Sequence, residues 1–193
     1  MFYLIISLIK KQVTMTVFQR KYFENAKYIF VDMDGTLIDT DSANNEAYQN
    51  AIFRVTGQHY KMLNGRITRD TIHDMFPDDI SGKIIKVKNS IFYDYLDLTE
   101  VNVTLVDILL KSEKKCYLVS NCSTQRGNAT LRHHHLENFM DKNMFYSGDK
   151  YIKSLAELGL DPKEGYVFEN EQTQATHAIK AGINPNCIYL FNN

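Results

Sequence analysis

Apolar residues in this chain follow two rhythms. Short unbroken runs, Tyr28-Ile29-Phe30-Val31, Cys116-Tyr117-Leu118-Val119, Tyr166-Val167-Phe168 and Cys187-Ile188-Tyr189-Leu190-Phe191, show no polar alternation. Such runs read as strands buried on both faces, the kind found inside parallel sheets. Met144-Phe145-Tyr146 is a shorter candidate of the same kind. Between them, residues 104–111, 124–134, 151–158 and 173–181 read as helices, two of them closed by Gly159 and Gly182. Strands alternating with helices of about ten residues predict a parallel α/β sheet.

The stretch after the first strand breaks this alternation. Ala43, Ala47, Ala51 and Ile52 recur at helical spacing over residues 41–55, with N-cap candidates from Asp39 to Ser42 and a stop at Thr56-Gly57. Residues 58–100 are more polar and broken at Asn64-Gly65, Pro77-Asp78-Asp79 and Ser81-Gly82. They predict helices over 68–75 and 83–95 and a short connector, with Ile91, Phe92, Tyr95 and Leu96 as one buried face. The expected organisation is a core from 15–40 and 101–193, interrupted by a helical insertion over 41–100.

Residues 1–14 are set apart. Phe2–Ile9 is apolar but far too short to span a bilayer, and it lacks a basic start and a small-residue cleavage site. It reads as upstream extension before a start at Met15, with a short membrane-surface anchor as the alternative.

Composition narrows the class. The 193 residues suit one domain or a core plus a small insertion, and a net charge of -1 without a long basic block argues against nucleic acid or an anionic membrane as partner. Cys116, Cys122 and Cys187 fit a reducing compartment, hence a cytoplasmic location, better than a disulfide framework.

The chemistry is expected where strands end. Asp32 and Asp34 leave the first strand on the same side, and Gly35 allows a sharp turn. An ordinary strand followed by an acidic turn and helix cap is the alternative reading of that stretch. Other strand ends carry Ser120-Asn121, Asp149-Lys150 and Glu169-Asn170, and in open α/β sheets functional groups gather at such ends. Carboxylates, a hydroxyl and a cation together suit an anionic substrate held with a hard divalent ion such as Mg²⁺.

Asp32-Met33-Asp34-Gly35-Thr36 after a buried strand, then Leu118-Val119-Ser120-Asn121, Lys150, and Val167-Phe168-Glu169-Asn170-Glu171 follow one another in an order that resembles the haloacid dehalogenase-like (HAD) superfamily. The likeness covers about residues 28–191. Asn64-Gly65-Arg66-Ile67-Thr68-Arg69 also resembles the substrate-facing cap loop of the phosphoglucomutase-like branch. The resemblance implies a Rossmann-like sheet with a small helical cap, and a Mg²⁺-dependent phosphatase of small phosphorylated metabolites. It implies Asp32 as nucleophile, Asp34 as acid and base, and Ser120, Asn121 and Lys150 as phosphate holders. Asp32, Asp34, Glu169 and Asn170 are the implied metal residues, and Arg66 and Arg69 possible cap contacts. A phosphomutase and a non-catalytic phospho-ligand or protein-binding domain are the alternatives. Asn44 stands where mutases of this branch commonly place a histidine.

Two positions depart from the pattern. Asn170 stands where related enzymes usually carry Asp, which removes a charge from the metal shell. Lys150 abuts its helix without a longer approach, leaving Lys142 and Lys153 as alternates. His133-His134-His135 cannot converge on one ion, because helical neighbours point about 100° apart. Cys122 reads as filling space.

Overall fold

In the computed structural model, which describes residues 15–61 and 65–191, Tyr28–Val31 (β1) is the central strand of a five-stranded sheet. The segment Phe2–Ile9 and Asn64 of the cap loop lie outside the described residues. Ile38–Asp39 (β2) and Glu100–Val101 (β3) form a separate antiparallel pair. Lys115–Ser120 (β4) and Lys142–Phe145 (β5) flank β1 on one side, and Gly165–Glu169 (β6) and Ile188–Leu190 (β7) on the other, every pair of this sheet parallel. All four residues of β1 are buried, as an unbroken apolar run requires when helices cover both faces.

Register does the positioning. Val31 stands opposite Leu118 on one side and Phe168 on the other, and the Asp32 N–H continues the ladder to the Phe168 carbonyl at 3.0 Å. Asp32, Ser120 and Glu169 therefore emerge at one edge of the sheet. Chain order runs from β1 to neighbours on opposite sides, so this edge is a switch point, where an open sheet leaves a crevice.

Val17–Asn25 (α1) precedes the sheet and has no counterpart in the apolar rhythm. Its start is local: Thr16 and Gln19 form a reciprocal capping box. Its Phe23 ring then packs edge-on against Tyr166. Asp41–Thr56 (α2), Arg69–Met75 (α3), Asp78–Ile91 (α4) and the 3-10 stretch Phe92–Leu98 make the inserted helices. They enclose a second apolar cluster around Ala47, Ile52, Ile84 and Phe92, distinct from the cluster of the sheet. Pro77-Asp78-Asp79 starts α4 instead of breaking the chain: proline supplies the cap backbone and the acids favour the helix N-terminus. The single helix expected over 83–95 is α4 followed by the tighter 3-10 turns.

The insertion leaves and rejoins the core at one place. β2 and β3 pair there, and Asn102 donates to the carbonyls of Leu37 and Thr36 at 2.9 and 3.1 Å. Val103–Lys111 (α5), Thr124–His133 (α6), Lys150–Leu158 (α7) and Gln172–Lys180 (α8) complete the core. Among the described residues no helix is long and apolar enough to cross a membrane.

Candidate active site

Asp32 is where the site begins. It is buried, and Lys150 from the first position of α7 reaches its Oδ1 at 2.6 Å. The same ammonium lies 2.8 Å from Glu169 Oε2, which also accepts from the Tyr151 hydroxyl at 2.7 Å. Glu169 Oε1 takes the main-chain N–H groups of Asn170 and Glu171 at 2.9 and 3.2 Å. Lys142 and Lys153 go elsewhere, to Glu157 and to the Gly148 carbonyl.

Burial and Glu169 push the Asp32 carboxyl up, while Lys150 pulls it down. Lys150 loses by burial and gains more from Asp32 and Glu169, so it is held protonated. One ammonium between two buried carboxyl groups cannot neutralise both. Lys150 therefore stays charged, and Asp32 is harder to ionise than an ordinary carboxyl group.

Asp34 has a different environment. Burial would raise it, but Arg126 first, then Arg66 and the Thr40 hydroxyl, hold it below the usual carboxylate range. Arg126 donates to both Asp34 oxygens, and Thr40 Oγ1 donates to Oδ1 at 2.9 Å. Asn44 Nδ2 supports Thr40 at 3.1 Å, so a neutral amide completes this relay.

Ser120 is buried at the end of β4, its Oγ accepting the Cys122 N–H at 3.2 Å. The Asn121 side chain ties two loops together, accepting from the Gly148 N–H and donating to Gln174 Oε1, each at 3.2 Å. Burial pushes the Cys122 thiol up to about 11, an unreactive setting.

A cavity of about 340 Å³ joins these groups to the inserted helices. Asp32, Asp34, Ser120 and Lys150 line its floor, and Arg66, Arg69 and Lys88 face it from above. Asn45 fixes the loop that carries Arg66, donating to the Gly65 carbonyl and accepting the Ile67 N–H at 2.9 and 2.8 Å.

Asn170 tests whether a hard cation fits. The inward end of its carboxamide meets the Asp34 main-chain oxygen and Glu169 Oε1, each at 3.1 Å, and Thr36 Oγ1 at 3.3 Å. With only acceptors around it, that end is assigned as the amide nitrogen. Gly35, at φ 79°, leaves the space this amide fills, since a β-carbon there would strike it. Converging oxygens are the donors Mg²⁺ takes, and the set fits once the amide presents its own oxygen. Glu169 is the poorer ligand, because protein donors already occupy both of its oxygens. Among the described residues no group of three or more His, Cys, Asp or Glu side chains is arranged to hold a metal ion, so amide and main-chain oxygens would have to contribute.

Sequence reasoning did not reach Arg126, Lys88, Thr40 or Tyr151. Lys88 had a readable signal: it interrupts the buried stripe Ile84–Ile91 of α4 with a charge. The histidine run is dispersed, with His133 3.4 Å from Asp97 and His134 Nε2 2.6 Å from Thr99 Oγ1.

No protein-family model and no curated protein matches the chain. Solved structures do, and they give it the fold of the HAD-like hydrolases. A haloacid dehalogenase-like family hydrolase from Streptococcus pneumoniae superposes with a TM-score of 0.71 at 16% identity, covering 83% of each chain. A Thermotoga maritima protein described as a β-phosphoglucomutase gives 0.62 at 21% identity, over 85% of this chain and 84% of its own. CbbY from Rhodobacter sphaeroides, in complex with phosphate, gives 0.64 at 18% identity, over 82% and 84%.

Proposed function

We propose that this protein is a phosphatase of small phosphorylated metabolites that works through an aspartyl-phosphate. The observation that carries the reading is Lys150 pinned between Asp32 and Glu169 on the floor of the cavity, with Asp34 and Ser120 on the same floor. The phosphate in the Rhodobacter sphaeroides structure supports the substrate class.

Lys150 occupies Asp32 Oδ1, which leaves Oδ2 to attack phosphorus. The new O–P bond forms as the ester O–P bond breaks, and the departing oxygen takes a proton from Asp34, which must first acquire that proton from solvent. Asp34 then removes a proton from water as that water attacks phosphorus and the bond to Asp32 breaks. Ser120, the Asn121 main-chain N–H and Lys150 hold the equatorial oxygens, where charge is spread in the transition state. Asp32, the Asp34 carbonyl and Asn170 would hold Mg²⁺, which supplies positive charge against the phosphoryl oxygens when bound.

The mutase reading is weaker, because Asn44, behind Thr40 and Asp34, offers an amide that does not titrate. The deciding experiment is a panel of phosphorylated metabolites assayed for phosphate release with and without Mg²⁺, on the native protein and Asp32→Asn. Release by the native protein and none by a folded Asp32→Asn is expected. Equal release by both removes Asp32 as nucleophile. No release from any ester, with phosphate still bound, favours a non-catalytic binding domain.

A further inference from the structure

Tyr151 is the second residue of α7, next to Lys150, and it does not line the cavity. It is 1% exposed, its ring centre lies 6.1 Å from that of Phe30 in β1, and its hydroxyl donates to Glu169 Oε2 at 2.7 Å. Phenylalanine would fill the same space with no polar atom to desolvate. What distinguishes this position is therefore the hydroxyl and the oxygen it meets.

That oxygen is shared. The Lys150 ammonium stands 2.8 Å from Glu169 Oε2 and 2.6 Å from Asp32 Oδ1, so two carboxyl groups pull one cation in different directions. The main-chain N–H groups of Asn170 and Glu171 on Oε1 fix the Glu169 carboxyl in place. Without the hydroxyl, Lys150 would be the one side-chain donor left on Oε2 among the described residues. A buried acceptor deprived of one donor leans harder on the other. The ammonium would then be drawn toward Glu169 and away from Asp32. The Tyr151 ring also flanks the cation, 5.1 Å from Nζ, a contact that phenylalanine would keep.

We propose that Tyr151 is a positioning residue: its hydroxyl occupies Glu169 so that Lys150 stays on the Asp32 side of the pair, where the phosphoryl group is transferred. This rests on the phosphatase reading and names the step Tyr151 serves, transfer rather than substrate capture.

Phosphate release from p-nitrophenyl phosphate at saturating Mg²⁺ tests this, with the native protein and Tyr151→Phe compared in solution and as crystals. In the variant kcat should fall about tenfold or more with KM within about twofold, the pattern of an interaction realised in the transition state. In the variant crystal Lys150 Nζ should lie nearer Glu169 than Asp32, the reverse of the native order. A fall in kcat with the ammonium unmoved overturns the proposal, because the hydroxyl then acts by another route. Unchanged kinetics, or a raised KM with kcat unchanged, overturn it as well. A variant too unstable to assay would make the hydroxyl a requirement of the core and also overturns it. If the native protein releases no phosphate, it is the phosphatase reading that fails, and the proposal with it.

Discussion

Arg126 donates from both terminal nitrogens to the two carboxylate oxygens of Asp34, with about 14% and 13% of the two side chains exposed. A bidentate, shielded pair of this kind holds the carboxylate ionised. In the proposed reaction Asp34 would have to take up a proton against this pairing before giving one to the leaving group.

Arg126→Gln tests that pairing through stability. Because the folded Asp34 value is depressed, its contribution is present above the ordinary carboxylate range and is lost as pH falls through the depressed value. The variant should lose about 1–3 kcal/mol near neutral pH, the cost of leaving a buried polar group unpaired. Melting curves of the two proteins should converge in acid. A gap that stays constant with pH would show that the loss comes from packing against Phe92 instead.

Asp34→Asn separates the two chemical steps. Asp32 should still accept phosphate from an aryl ester whose leaving group needs no proton, while alkyl phosphate turnover is nearly abolished. Burst kinetics on the aryl ester measure the first step directly. Equal losses on both esters would assign Asp34 a binding role.

Asn170→Asp tests the cation site without relying on turnover. In chelator, the variant loses the amide that donates to the Asp34 carbonyl and Glu169 and gains a charge beside the Glu169 carboxyl group. Its Tm should fall below that of the native protein and recover with added Mg²⁺, at a lower midpoint than the native protein needs. An unmoved midpoint would place Glu171, which also lines the cavity, in the ligand position.

Gly127→Ala should destabilise the core, although alanine is the better helix former by about 1 kcal/mol. Gly127 lies buried within α6, and a β-carbon there would overlap the Phe145 ring of β5. Tm of the variant against the native protein measures the balance. A rise would mean that Phe145 rotates away freely.

Much of the core was legible in the chain because the information is local. Unbroken apolar runs cannot be solvated, so each of β1, β4 and β6 had to be an interior strand, and the polar residues following them had to meet where the strands stop. Asp32, Ser120 and Glu169 are readable on those grounds, and Lys150 by its place at the start of a helix in the same alternation. Strand order and register were not, since identical runs can pair in other orders; only the packed sheet decides that Asp32 continues opposite Glu169. Arg126 lies 92 residues from the carboxylate it clamps, a separation no spacing rule spans. Lys88 marked itself by interrupting an apolar stripe, yet whether a stripe residue faces the core or a cavity depends on what α4 packs against. Asn170 showed a missing charge, but which end of its amide faces inward depends on the oxygens that folding gathers around it.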